Sequence, residues 1–177
     1  MIDLRRFSVD DYHLMAETGL FAEGERVELL EGRIYAVTPI GRRHAATVAK
    51  LTALLSPLQH RAVLWVQNPL QLPPYGEPEP DVAVLRFSET FYEFEVPKPQ
   101  DVLLVVEVAD STLGFDRRVK LPIYAEAGVP EFWIVNLVHN QVEVYLEPEG
   151  ADYKMQEVVA FGSPISPHHL PDISLIL

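Results

Sequence analysis

DVLLVVEVADSTLGFDRRVKLPIYAEAGVPEFWIVN, residues 101–136, reads as strand, loop, helix and strand in close succession. Its first segment, DVLLVVEV, is an aliphatic strand interrupted by one acid, Glu107. Taking an ionised carboxylate out of water is costly even after relaxation, so the chain must supply a cation, a proton or a metal there. The candidate cation downstream is Lys120, in a helix that also carries Tyr124 and stops at Gly128, a good helix terminator.

A second acid, Asp81, leads another aliphatic strand, DVAVL. One strand and a connector separate it from Glu107, so both acids can arrive at the same end of one sheet. Two carboxylates a few ångströms apart repel unless a divalent cation lies between them, and all-oxygen ligation with retained waters suits Mg²⁺ or Mn²⁺. Such an ion acidifies its bound water and polarises a phosphoryl oxygen, the two tasks of phosphodiester hydrolysis. Lys120 would steer or deprotonate that water and offset charge in the transition state.

The chain has 177 residues and is 48% hydrophobic, enough for one domain with a full core, and a single domain over 1–177 is expected. There are no cysteines, which excludes disulfides, thiolate metal sites and a cysteine nucleophile, so any metal would be a hard one. The N-terminus lacks the apolar run of a signal peptide, and no stretch approaches the roughly 18 apolar residues of a membrane span. A soluble cytoplasmic protein with no membrane partner is the expectation. The net charge of −12 repels nucleic acid at long range, which argues against a basic DNA-coating protein. A nuclease needs its basic residues concentrated, and two groups exist: Arg42, Arg43 and His44, then Arg117, Arg118 and Lys120.

Toward the N-terminus, Ser8 followed by Asp11 has the spacing of a capping box, predicting a helix that ends by Gly19. RVELLEGRIYAV predicts two strands around a turn at Glu31-Gly32, with Glu28 in the first. Apolar residues from Ala45 to Leu58 recur at helical steps, and Pro57 ends or kinks that helix. AVLWVQNPLQL is a strand region, LPPYGEPEP a stiff loop into the Asp81 strand, and residues 88–100 an aromatic connector. EFWIVN and QVEVYLE form a hairpin around His139-Asn140, with one more strand near Tyr153 to Val159. Helices interleaved singly among strands predict an α/β or α+β fold, a central mixed sheet flanked by helices.

Glu28 in VELLEG, His44 after GRR, Pro80-Asp81, Glu107 in VVEVADST, and Asp116 and Lys120 in DRRVKLPIYAEAGVPEFWIV together resemble the Uma-two family of endonucleases, in the PD-(D/E)xK restriction-endonuclease-like superfamily. The resemblance runs from about Ser8 to the C-terminal strand and is most specific between Glu107 and Val135. It implies a restriction-endonuclease-like mixed sheet, a divalent ion held by Asp81 and Glu107 with Val108, and a nuclease role. The superfamily pattern sets its lysine two residues after the acid, where this chain has Ala109, so Lys120 in the following helix is its stand-in. The expected catalytic set is Asp81, Glu107, Lys120 and Glu28, with His44, Arg43 and Arg117 on the substrate. DNA is the expected substrate, and a homodimer the expected assembly, because such enzymes commonly pair to cut both strands.

Each residue also has a plainer role open to it. Glu107 could form an ion pair with Lys120 or Arg117, and Glu28 could pair with an arginine. Lys120 could pair with Asp116 on a solvated helix face, worth only about 0.2–0.5 kcal/mol. Pro122 either kinks its helix or sits in the first turn, and the second case sets Lys120 at a helix N-terminus, where the dipole favours a base. His168 and His169 read as a surface turn, and Trp133 as core. In functional terms the alternative is a catalytically silent nuclease-fold module acting as an interaction or scaffold protein. A structural domain without metal would show Glu107 salt-bridged in a site closed to solvent.

Overall fold

A computed structural model describes residues 3–37 and 41–177. The first helix, α1 (Val9–Glu17), begins at the predicted capping box: the Ser8 hydroxyl accepts from the Asp11 amide at 3.1 Å, and the Asp11 carboxylate accepts from the Ser8 amide at 2.9 Å. Strands β1 (Val27–Leu30) and β2 (Arg33–Ala36) then form a hairpin that pairs Glu28 with Tyr35. Its turn residues Glu31 and Gly32 both have positive φ, 50° and 76°, which suits a two-residue hairpin loop. A side chain at Gly32 would lie 2.6 Å from the Arg6 Cβ, so the crossing N-terminal segment requires glycine there.

Helix α2 (Arg42–Leu55) buries Val48, Leu51 and Leu55, and Pro57 opens the 3₁₀ turn Ser56–His60 that ends it. The next strand, β3 (Ala62–Trp65), is shorter than the AVLWVQNPLQL region predicted. Gln67 takes φ 50° and bonds its amide to the Pro80 carbonyl, and Pro69 cannot donate to a ladder, so the chain leaves the sheet. Strand β4 (Val82–Arg86) follows Asp81, and β5 (Val102–Ala109) carries Glu107.

After β5 the helix has three parts: α3 (Leu113–Phe115), a π-helical turn (Asp116–Lys120) and α4 (Leu121–Glu126). Within that turn the Leu121 amide reaches back five residues to the Asp116 carbonyl. Pro122 falls in the first turn of α4, with Lys120 at that helix's N-cap, and the π turn directly before it takes the place of the α turn that its missing N–H and ring disfavour. Strands β6 (Glu131–Asn136), β7 (Gln141–Glu149) and β8 (Asp152–Ala160) follow, then the small ribbon of β9 (Pro164–Ile165) and β10 (Leu175–Ile176).

The main sheet has six strands in the order β3-β4-β5-β6-β7-β8, with β5 and β6 parallel and every other neighbouring pair antiparallel. This is the mixed sheet flanked by helices. Alternation sends Leu104, Val106 and Val108 toward the face covered by α2, and Val105, Glu107 and Ala109 toward α4. On β4, Ala83 and Leu85 share that second face, so Asp81 lies on Glu107's side of the sheet. Phe132 and Trp133 on β6 go to opposite cores, both fully buried. Each such ring contributes about 2–3 kcal/mol by burial. Phe132 also stacks with Tyr145 and Tyr153 and tilts against Tyr124, at ring separations of 5.9, 6.4 and 5.1 Å. Among the described residues no helix is long and apolar enough to cross a membrane.

Candidate active site

Where β4 and β5 run out of pairing partners, their side chains converge. Val82 pairs with Val106, and Pro80 then diverts the chain, leaving the Val108 amide free to donate to Asp81 Oδ2 at 2.8 Å. That bond sets the two acids side by side. His44, on the first turns of α2, adds its Nε2 to the same Asp81 oxygen at 2.8 Å, and Gln67 donates to Oδ1 at 3.2 Å. Burial alone would raise the Asp81 carboxyl, but the His44 bond and charge, the Val108 amide and Gln67 outweigh it and hold it below the usual range.

Glu107 is buried on β5, and the π turn brings Lys120 Nζ to its Oε1 at 2.9 Å. Tyr124 donates to the same oxygen at 2.8 Å. Lys120 also contacts Glu28 at 3.3 Å, so the hairpin residue pairs with lysine and not with an arginine. A second Glu28 contact, from the Glu79 amide at 3.2 Å, ties the β1–β2 hairpin to the approach to Asp81. Burial pushes Glu107 up to about 8; Lys120 opposes that shift, and Asp81, Asp116 and Glu28 add to it. Burial disfavours the Lys120 ammonium, yet the charges of Glu107 and Glu28 prevail and keep its pKa raised. Lys120 is therefore a held cation here, not a lysine whose pKa a helix dipole lowers.

Asp116 is 3% exposed and Lys120 7%, so the two do not form a pair on a solvated face. Asp116 instead accepts from the Thr112 hydroxyl at 2.7 Å, and burial pushes it up to about 6. Asp116 belongs to the segment that carries the family resemblance, and Tyr124 lies four residues after Lys120, the one signal in the sequence that could have added it to the site. Nothing in the sequence marks Gln67. Arg43 and Arg117 are not brought to the cleft: Arg43 bonds Asn140 at 2.8 Å, and Arg117 grips Glu143 through contacts of 2.9 and 2.6 Å. His168 and His169 are exposed, as a surface turn would be, and the His168 amide bonds Glu131.

The acids line an open cleft of about 400 Å³, with Glu28, Asp81, Glu107 and Asp116 around Lys120 and His44 on one wall. Glu107 is thus salt-bridged, but the site is not closed to solvent. Among the described residues no three His, Asp or Glu side chains form a ready ligand cluster. The donor chemistry nonetheless suits a hard ion that keeps several waters and needs only one or two carboxylates. Both donors to Glu107 fall on Oε1, and among the described residues Oε2 takes no hydrogen bond. The Ala109 carbonyl faces β6, bonding the Leu137 amide, so the carbonyl of the preceding residue, Val108, faces the Asp81 edge.

Comparison with known proteins agrees with this architecture. The sequence model of the family Uma2, described as "Putative restriction endonuclease", matches residues 9–177. A solved structure described as "a putative nuclease belonging to DUF820 from Anabaena variabilis ATCC 29413" superposes with a TM-score of 0.69 at 16% identity, covering 96% of this chain and 94% of its own. At that identity the likeness concerns the fold. No curated protein matches the chain.

Proposed function

The chain belongs to the Uma2 family, and on that footing we propose that it is a metal-dependent endonuclease hydrolysing phosphodiester bonds in DNA. The observation that carries this reading is the meeting of Asp81, Glu107 and Lys120 at one open cleft, the first two joined through the Val108 amide. Asp81, Glu107 Oε2 and the Val108 carbonyl would hold Mg²⁺ or Mn²⁺. Bound there, the ion supplies a more acidic water and a Lewis acid toward a phosphoryl oxygen. The upward push on Glu107 and Asp116 marks an excess of buried acid that a divalent charge relieves.

Lys120, kept protonated by Glu107 and Glu28, offsets negative charge developing on the phosphoryl oxygens and does not remove a proton. Glu28 and Tyr124 fix where that lysine and Glu107 sit, and His44 orients Asp81. Where both strands of a branched or partly unpaired DNA are cut, two such sites are needed, so a homodimer is the proposed assembly.

Incubation with supercoiled, linear and branched DNA in Mn²⁺ tests the reading. Cleavage of at least one of these or of single-stranded DNA, stopped by EDTA, is expected; inactivity on all four overturns it. One observation favours a second reading, a catalytically silent module: Asp81 and Glu107 Oε1 already have protein partners. Retained Mn²⁺ binding without cleavage would select it.

A further inference from the structure

The cleft has a wall that the hydrolytic chemistry does not use. Tyr35, on β2, and Phe115, at the end of α3, line it with their rings edge to face, 5.3 Å apart at 67°. Both are partly buried, packing on the core while bordering the cleft. Each is held beside an acid of the site: Tyr35 is the cross-strand partner of Glu28, and Phe115 directly precedes Asp116.

Charge limits what this cleft can grip. Duplex DNA is held largely through phosphates neutralised by lysine and arginine. Among the described residues the cleft's only lysine and arginine are Lys120 and Arg26, and both are engaged: Lys120 with Glu107 and Glu28, Arg26 with Glu79 at 2.8 Å. Arg43 and Arg117 are committed elsewhere. The chain's net charge of −12 adds repulsion at long range. Inside the cleft, affinity must then draw on a short-range contact that is not phosphate neutralisation, the exposed Arg42, Arg43 and Arg118 lying outside its lining.

We propose that Tyr35 and Phe115 form a stacking wall for one unpaired base, and that the substrate is single-stranded DNA or an unpaired segment of a larger DNA. A base in a duplex already stacks on its neighbours and cannot offer its face to the wall, whereas a free base can. The cleft's volume of about 400 Å³ suits a nucleotide rather than a duplex. With its base against the wall, the strand lies in the same cleft that Glu107 and Lys120 line. The inference rests on the nuclease reading and narrows its substrate.

Fluorescence anisotropy with the full chain in Ca²⁺ tests it, using an oligonucleotide alone, the same strand in a duplex, and the strand with abasic positions. The single strand should bind at least about tenfold tighter than the duplex, and abasic positions should remove about 5- to 100-fold of its affinity. Tyr35→Leu and Phe115→Leu should each lose affinity in that range for the normal strand and little for the abasic one, with Tyr35→Phe close to the parent. The abasic probe leaves the protein unaltered, so it reads the contact even if a variant folds poorly. Equal binding of normal and abasic strands, or preference for duplex, overturns the inference. If Mn²⁺-dependent duplex cleavage accompanies that result, the nuclease reading stands; if no nucleic acid binds or is cut, both fall.

Discussion

Arg117 holds Glu143 through two contacts, Nε to Oε2 at 2.9 Å and Nη2 to Oε1 at 2.6 Å, and so ties the π turn to strand β7. Glu143 is fully buried and takes further bonds from Asn136 at 2.7 Å and Tyr145 at 2.9 Å. Since Asp116 and Lys120 flank this anchor on the same turn, the clamp helps set where the cleft's lysine stands.

Arg117→Met keeps the side-chain stem and removes the fork. It should lower stability by about 2 kcal/mol, the scale of losing charge-assisted hydrogen bonds to a buried carboxylate that keeps other donors. Urea unfolding of the two proteins measures it, and an unchanged midpoint would mean that the clamp contributes nothing.

Lys120→Met should cost more, about 3–5 kcal/mol, because it strands Glu107 and Glu28 as buried acids without their cation. Mn²⁺ should restore part of that loss by supplying charge to the same carboxylates. Thermal unfolding with and without Mn²⁺ reads both effects.

Stability without metal should fall as pH rises from about 5 to 7. Burial pushes Glu131 up to about 7, Glu107 to about 8 and Asp116 to about 6. In that window the native chain holds protons that the unfolded chain has released, so each further rise favours unfolding. Glu131, 1% exposed and bonded to the Trp133 indole and the His168 amide, should account for about 2–3 kcal/mol of the trend. Glu131→Gln should flatten the curve by that share; an unaltered slope contradicts the assignment.

Much of this was legible in the residues. The capping box at Ser8, the Glu31-Gly32 hairpin, the α2 periodicity and the β5-to-β6 segment each carry local signals that tertiary packing reinforces. The nearness of Lys120 to Glu107 was readable because an acid in an aliphatic strand needs a partner and few cations follow it. The π turn was not readable, since Pro122 forbids a regular α turn without saying which irregularity replaces it. Clustering and the family resemblance point Arg43 and Arg117 toward substrate, and neither reveals that Asn140 and Glu143 bond them. Asp116 looked exposed because a four-residue spacing from lysine is the ordinary pattern of a solvated helix face, and only the packing of the turn on the sheet buries it.

Calorimetric titration of Mn²⁺ into the parent protein, Asp81→Asn and Glu107→Gln tests the proposed site most directly. Saturable binding to the parent that both substitutions abolish is the predicted result. Binding to Glu107→Gln as tight as to the parent would contradict it and leave Glu107 with Lys120 as its only counter-ion.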